Sequence, residues 1–185
     1  MQTFQLSGFT ERLIVRPYQY HDYVNWFNQY SSRKSSMHLY DEGQVDMSMC
    51  TEQWFYDLVN RHQGMAKEDS LYVFGVFNKS DHTHLGVIDV STLMRENFHW
   101  GRIGYTIHNQ HWGKGYGTEA VKEVLRLAHT ELNYHRIEAH INLDNNASIA
   151  LAEKAGMQYE CIRKGFIHEF GKWTDNLIYY SQPND

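Results

Sequence analysis

The chain has 185 residues, of which 42% are hydrophobic, 15% aromatic and 21% charged, a composition typical of globular rather than disordered proteins. Its formal net charge of -5 disfavours nucleic acid as a partner, because phosphate binding normally needs a basic excess. No apolar run approaches the roughly 20 residues that cross a bilayer, and no basic segment followed by an apolar one opens the chain. These features predict one cytoplasmic domain over residues 1–185 with no membrane partner.

Residue spacing predicts the elements of the first half in chain order. A strand over residues 13–16 ends at Pro17, helices cover residues 21–30 and 52–62, and residues 71–77 and 85–91 form a hairpin. Aromatic side chains are concentrated in this half, and we expect them mainly in the core and against the helices: Tyr18, Tyr20, Trp26, Phe27, Tyr30, Trp54 and Phe55.

The second half alternates strands and helices. The predicted order is a strand over residues 102–107, a helix over 118–132, a strand over 137–141, a helix over 145–155 that stops at Gly156, and strands over 159–166 and 174–180. Strands first, then strand–helix–strand–helix, indicate a mixed α/β sheet with helices packed on it. Cys50 and Cys161 form no CxxC pair, so two free thiols are expected.

A glycine-rich loop lies between the strand over residues 102–107 and the helix that follows. Gly113, Gly115 and Gly117 occupy every second position, and Lys114 lies between the first two. Glycine lacks Cβ and tolerates positive φ, so the backbone can turn sharply and approach a ligand closely. The helix N-terminus just behind the glycines offers unpaired N–H groups and a positive dipole end. The loop therefore predicts an anion cradle, most plausibly for a diphosphate.

Two other phosphate-binding patterns do not fit this loop. A P-loop needs GxxxxGK followed by Ser or Thr, but Lys114 is followed by Gly115. A Rossmann fingerprint needs GxGxxG, whereas residues 113–117 give GxGxG, and four predicted strands or strand-like segments already precede them. A nucleotide hydrolase is excluded because neither a P-loop nor a carboxylate pair for Mg²⁺ accompanies the glycines.

Three segments match one protein family in their amino-acid sequence and in their order along the chain. Residues 112–117 read WGKGYG, residues 10–17 read TERLIVRP, and the run over residues 145–157 contains NNAS and EKAGM. In these segments the chain resembles the GNAT superfamily of N-acetyltransferases, and within it the branch related to RimJ and RimL. The superfamily signature Q/R-x-x-G-x-G/A is matched in frame, with Trp112 in place of Gln or Arg. The resemblance covers nearly the whole chain.

This resemblance implies a fold and a cosubstrate. The fold is α/β (α+β), a mixed and mostly antiparallel twisted sheet with a central V-shaped splay, flanked by helices. The cosubstrate is acetyl-CoA, with its pantetheine arm in the splay as an added strand. The implied cofactor-binding residues are Tyr105, Ile107, Trp112, Gly113, Lys114, Gly115, Tyr116, Gly117, Thr118, Asn145 and Ser148. Asn145 is also an expected helix N-cap, and Lys114 either approaches a cofactor phosphate or is only solvated.

The family also implies catalytic roles. Ser148 stands where RimL-like members place a group near the thiol sulfur, as general acid or sulfur ligand, although a helix serine can instead bond local backbone. Many members carry a Tyr acid four residues later, where this chain has Ala152. Four residues remain candidates for the general base: Asp89, His108, His111 and Glu169. The predicted catalytic residues are Ser148 and Glu169.

The 12 histidines raise the question of a metal site. His82 with His84, and His108 with His111, are spaced for chelation, but neither pair has a clear third ligand, so no metal is expected. Glu119, in the first turn of the helix behind the glycines, is expected to complement the helix dipole.

Two functions follow from these residues and the resemblance. The first is an acetyl-CoA-dependent N-acetyltransferase whose acceptor is a primary amine, either a protein N-terminal amine or a small molecule, with residues 30–44 reading the acceptor. The alternative is a non-catalytic acyl-CoA-binding sensor or interaction module on the same fold. A homodimer is left open.

Overall fold

One eight-stranded sheet organises the part of the chain that the computed structural model describes, residues 3–183. The strands are β1 (Gly8–Phe9), β2 (Leu13–Arg16), β3 (Leu71–Asn78), β4 (His84–Met94), β5 (Trp100–Ile107), β6 (Arg136–Asn142), β7 (Gln158–Glu169) and β8 (Lys172–Ser181). The α-helices are α1 (Tyr23–Ser31), α2 (Glu52–Lys67), α3 (Tyr116–Thr130) and α4 (Asn146–Lys154), and 3-10 turns cover Tyr20–Asp22 and Asn109–His111. The strand order is β1-β2-β3-β4-β5-β6-β8-β7, and within residues 3–183 only β5 and β6 pair in parallel.

The elements predicted from spacing are confirmed, with differences at their ends. Helix α2 continues to Lys67 because Ala66 adds another buried residue to its packed face. Strand β1 was not predicted, since its two residues are too short to show a period. Gly156 has a φ of 92° directly after the C-cap of α4, which confirms the predicted helix stop.

Two hydrophobic cores lie on the described residues, and each involves different helices. The larger core contains the predicted apolar stripe of α3, with Ala120, Val121 and Val124 fully buried. The smaller core is aromatic and joins α1 to α2 through Trp26 and Phe55, as expected for the aromatic first half.

The sheet splits between β5 and β6, which confirms the V-shaped splay. The two strands pair only from Trp100 to Arg102, against Arg136 to Glu138, and β5 then continues to Ile107 without β6 beside it. The unpaired edge of β5 therefore faces a gap. The glycine loop follows the C-terminal end of β5, and α4 follows β6.

No helix among residues 3–183 has both the length and the apolar sequence required to span a membrane. Cys50 and Cys161 are both free thiols, as the sequence predicted.

Candidate active site

The glycine loop forms a row of unpaired backbone amides. Gly113 and Gly115 both have a φ of 78°, and Gly115 is the left-handed N-cap of α3. The first helical bond runs from the Glu119 N–H to the Gly115 carbonyl at 3.2 Å. Within residues 3–183, the backbone N–H groups of residues 113–118 donate to no other group. A Cβ at Gly113 would meet nothing within 4 Å, so the space beside the loop is open. These residues fit a diphosphate.

Contacts between the turn that precedes β2 and the start of α3 hold the glycine loop in position. The Glu119 carboxylate accepts from the Thr10 hydroxyl at 2.5 Å, the Arg12 amide at 3.0 Å and Arg12 Nε at 2.7 Å. Arg12 Nη1 also donates to the Lys114 carbonyl at 2.9 Å. Burial alone would raise the pKa of Glu119, but these hydrogen bonds outweigh it and lower the pKa below its ordinary value. Glu119 thus does more than complement the helix dipole: through Arg12 it links the turn between β1 and β2 to the glycine loop.

We expect Arg12→Ala to weaken CoA binding by about threefold to tenfold. The substitution removes the bond to the Lys114 carbonyl and the ion pair to Glu119, so the loop is free to leave its binding conformation; a net loss of roughly 1 kcal/mol corresponds to this range. Titration calorimetry with CoA would measure the effect. The matched control is Arg126→Ala, which removes an exposed pair with Glu123 on the same helix. Equal affinities for the two variants would rule out the loop-positioning role.

A cavity of about 390 Å³ opens beside this loop. It extends from the glycines along the end of β5 to the N-terminus of α4. All the predicted cofactor-binding residues except Lys114 line it: Tyr105, Ile107, Trp112, Gly113, Gly115, Tyr116, Gly117, Thr118, Asn145 and Ser148. Lys114 is exposed, and its carbonyl contributes to the Arg12 contact instead.

The edge of β5 presents alternate backbone groups to the gap. Gly86 pairs with Ile107 in the antiparallel ladder to β4, and the His108 N–H donates to the Leu85 carbonyl at 2.8 Å. Because inter-strand bonds alternate in such a ladder, the backbone groups of Tyr105 and Ile107 point away from β4 and into the gap. The Ile107 carbonyl accepts from Trp112 Nε1 at 2.7 Å, so Trp112 folds back onto the strand that precedes it.

The start of α4 completes the cavity. Asn145 Oδ1 accepts from the Ser148 N–H at 3.2 Å, which confirms Asn145 as the N-cap. The Tyr105 hydroxyl donates to the Ser148 carbonyl at 3.2 Å, and burial raises the pKa of Tyr105 to about 12, so its proton stays on at neutral pH. Ser148 Oγ makes no hydrogen bond within residues 3–183, so it is not bonded to local backbone there.

Of the four candidate bases, the structure places one on the cavity. His111 lines it, and burial together with Lys114 lowers the pKa of its imidazole. Asp89 lies on β4 against Gly104 and has a raised pKa because it is buried. Glu169 lies at the end of β7, where its carboxylate accepts from Thr174 Oγ1 at 2.6 Å and from Asn142. Neither Asp89 nor Glu169 is among the residues that line the cavity.

His108 has a different environment from the one its spacing suggested. Its Nε2 lies 3.1 Å from His84 Nδ1, and His84 Nε2 lies 2.9 Å from the Tyr18 hydroxyl. Both rings are fully buried, and burial lowers the pKa of His108 to about 3 and that of His84 well below its ordinary value. The two histidines that the sequence assigned to separate pairs therefore form one neutral buried contact.

The far wall of the cavity comes from the segment between α1 and α2, residues 32–51. His38 stacks on Trp112 with ring centroids 5.3 Å apart, and the Tyr40 hydroxyl donates to the Asp144 carboxylate beside α4. Arg33, Asp41 and Glu42 line the same wall. The sequence placed this wall at residues 30–44 without singling out any of these side chains, because no periodicity marks an irregular segment.

Comparisons with known proteins agree with this geometry. Residues 12–158 match the family model described as an acetyltransferase (GNAT) domain. The Bacillus subtilis (strain 168) protein named "Probable N-acetyltransferase YjcK" is 34% identical over 120 residues, which cover 65% of this chain and 66% of that protein. The Escherichia coli (strain K12) [ribosomal protein uS5]-alanine N-acetyltransferase is 25% identical over 169 residues, which cover 91% of this chain and 87% of that protein.

Solved structures show the same fold. Mycobacterium smegmatis RimJ, in complex with CoA-disulfide, superposes with a TM-score of 0.74 at 18% identity, covering 92% of this chain and 81% of that one. The family model and the relatives named as N-acetyltransferases do not favour the non-catalytic alternative. The protein is an N-acetyltransferase, and its chain belongs to the GNAT acetyltransferase family.

Proposed function

We propose that the protein transfers the acetyl group of acetyl-CoA to a primary amine in the cytoplasm. The observation that carries this proposal is the continuous cavity from the amides of residues 113–118 to Ser148. A row of amides at a helix N-terminus suits the diphosphate of CoA. The fold relative Mycobacterium smegmatis RimJ was solved with CoA-disulfide, which supports the same class of cosubstrate here.

Different parts of the cavity would hold different parts of the cosubstrate. The amides of residues 113–118 bind the diphosphate, and the gap-facing backbone of Tyr105 and Ile107 bonds the extended arm as a further strand would. Asn145 orients the N-terminus of α4, which brings Ser148 Oγ to the thioester end. A backbone N–H near Ile107 donates to the thioester oxygen as negative charge develops there.

The protons must balance during transfer. The amine nitrogen forms a bond to the thioester carbon, the carbon–sulfur bond breaks, the amine loses a proton and the sulfur gains one. At pH 7 a protein α-amine is neutral only about once in ten and an alkyl ammonium only about once in a thousand, so a proton acceptor is required for either acceptor. His111 suits this role because its lowered pKa keeps it neutral, and when Nε2–H donates to Gln29 Oε1 at 2.9 Å, Nδ1 is left to accept.

The remaining catalytic assignments follow from position. Ser148 lines the cavity, and we propose that its Oγ donates to the departing sulfur. Glu169, the carboxylate predicted as base, would act only through water, since it does not line the cavity.

The acceptor that we favour is a protein N-terminal amine. The Escherichia coli relative is named for acetylating alanine of ribosomal protein uS5. Acceptor choice within one fold depends on loops such as residues 32–51, so small amines belong in the same test.

The test is thiol release from acetyl-CoA with a panel of N-terminal peptides, amino acids and polyamines. We expect turnover with at least one peptide and product acetylated on its α-amine by mass spectrometry. Tight CoA binding without thiol release from any acceptor would instead support the sensor alternative.

Within this assay, Ser148→Ala should lower kcat about tenfold and leave CoA affinity unchanged. The substitution removes one hydrogen bond to the sulfur in the transition state, worth roughly 1.4 kcal/mol. Ser80→Ala, in the exposed turn between β3 and β4, is the matched control. An unchanged kcat would exclude Ser148 from the mechanism.

A further inference from the structure

Arg33 is a buried cation on the acceptor-side wall of the cavity. Only 2% of its surface is exposed, yet it is one of the residues that line the cavity. Its Nη2 donates to Asp41 Oδ1 at 2.9 Å. Its Nε and Nη1 are buried and have no hydrogen-bond partner among residues 3–183. Buried donors without partners are rare in folded proteins, because each costs free energy, and such donors beside a binding cavity point to a ligand.

Asp41 cannot supply the missing acceptors, because its carboxylate is already saturated. Oδ1 also accepts from the Gly43 N–H at 3.0 Å, and Oδ2 accepts from the Met37 N–H and from Asn109 Nδ2, both at 3.0 Å. Asn109 in turn accepts from the Lys34 N–H at 2.8 Å, so the arrangement is held from two sides. The Arg33 guanidinium therefore has its position fixed while its other two nitrogens stay available.

We propose that Arg33 is a specificity-determining residue, which donates from one of its unpartnered N–H groups to a carbonyl oxygen of the acceptor next to the reacting amine. This inference rests on the proposed function. The Nε–H and Nη1–H groups point in different directions in the guanidinium plane, so one carbonyl oxygen accepts from only one of them. The ion pair with Asp41 fixes the direction of that N–H group, whereas the ammonium of Lys has no fixed plane. Arg33 lines the cavity, so an acceptor bound in the cavity lies against this side chain.

Charge favours a neutral carbonyl over a carboxylate at this position. Asp41 already balances the charge of Arg33, and Glu42 adds a further carboxylate to the same wall. A carboxylate bound here would bring an uncompensated buried negative charge, whereas an amide carbonyl brings none. An alkylamine without an oxygen would leave the two donors unpaired. The structure thus selects acceptors in which an amide carbonyl neighbours the amine.

Three acceptors of similar size test this selection. Alaninamide, alanine and sec-butylamine carry an amide, a carboxylate and an ethyl group, respectively, on the carbon beside the amine. We compare kcat/KM for each in the wild type and in Arg33→Lys, at saturating acetyl-CoA. The ratio of variant to wild type cancels the different basicities of the three amines. Arg61→Lys, an exposed residue of α2, is the matched control.

The expected result is a loss of about tenfold for alaninamide in Arg33→Lys, and less than twofold for sec-butylamine. The wild type should also use alaninamide better than alanine after correction for the fraction of neutral amine. An equal loss for alaninamide and sec-butylamine, or none for either, would overturn the role of Arg33 while leaving acetyl transfer intact. No turnover with any amine would overturn the proposed function and this inference together.

A second measurement does not depend on the variant being folded. In the wild-type protein with CoA bound, a guanidinium N–H resonance of Arg33 should shift on addition of alaninamide and stay in place with sec-butylamine. Identical spectra with both amines would contradict the proposed contact. Thermal unfolding and CoA affinity of Arg33→Lys show whether its kinetic change comes from loss of the fold.

Discussion

Replacing Gly115 with Val should weaken CoA binding by about 100-fold. Gly115 is the N-cap of α3 with a φ of 78°, a conformation that costs a β-branched residue roughly 1–2 kcal/mol or more. A Cβ there would also stand 3.4 Å from Arg12 Nη2. The chain relieves this strain by leaving the left-handed region, which turns the amides of residues 113–118 away from their common target. Losing two such charge-assisted bonds, at about 1.5 kcal/mol each, gives the expected change.

Two further variants distinguish a loss of CoA binding caused by the glycine loop from one caused by backbone strain in general. Gly171 in the β7–β8 turn has a φ of 74°, and a Cβ added there would meet nothing within 4 Å, so Gly171→Val imposes similar strain away from the cavity. It should lower the melting temperature but leave CoA affinity unchanged. Gly115→Asn should retain most of the affinity, because Asn tolerates the left-handed region. If Gly171→Val weakened CoA binding as much as Gly115→Val, the diphosphate cradle would be the wrong explanation.

Acidification should destabilise the protein through its buried histidine pair. The folded state holds His84 and His108 neutral, with the pKa of His108 lowered to about 3 by burial and that of His84 lowered well below its ordinary value. An unfolded chain titrates both near 6.5, so between these limits it binds more protons than the folded chain. Stability therefore falls as pH decreases below 6.5. For two histidines the loss is roughly 4 kcal/mol between pH 7 and pH 5.

Urea unfolding at a series of pH values would measure this loss. His108→Gln keeps a hydrogen-bonding side chain but cannot titrate, so it should remove roughly 2 kcal/mol of the loss over this window. His62, whose pKa burial lowers to about 4, adds to the remaining pH dependence. His135→Gln, an exposed position, is the control and should leave the slope unchanged. A slope that is the same in His108→Gln and the wild type would show that other groups cause the acid sensitivity.

Local pattern was enough to predict much of the fold and part of the candidate site. The glycines at 113, 115 and 117 and the Asn145 N-cap depend only on neighbours within a few residues, so their geometry could be expected from spacing. The stripe of α3 is likewise a matter of helical period.

Contacts between distant segments could not be expected in this way. Thr10 and Glu119 are 109 positions apart, and the Arg33–Asp41–Asn109 arrangement joins the end of α1 to the turn after β5. Neither has a period or a motif, so each is visible only once the chain has folded. The position of Glu169 in the sequence was compatible with a catalytic role. In the folded chain Glu169 accepts hydrogen bonds from Asn142 and Thr174 and does not line the cavity.

The amino-acid sequence by itself determined the order of strands and helices and the loop that suits a diphosphate, because these depend on short-range backbone preferences and hydrophobic period. The family was indicated separately, by the resemblance of three sequence motifs. Only the tertiary structure decided which polar side chains surround the acceptor and which are buried away from it. Burial and pairing across the sheet set those properties: they left His111 on the cavity and His108 in the core, three positions earlier in the chain. They also left Arg33 beside the cavity, with Nε and Nη1 lacking a hydrogen-bond partner among residues 3–183.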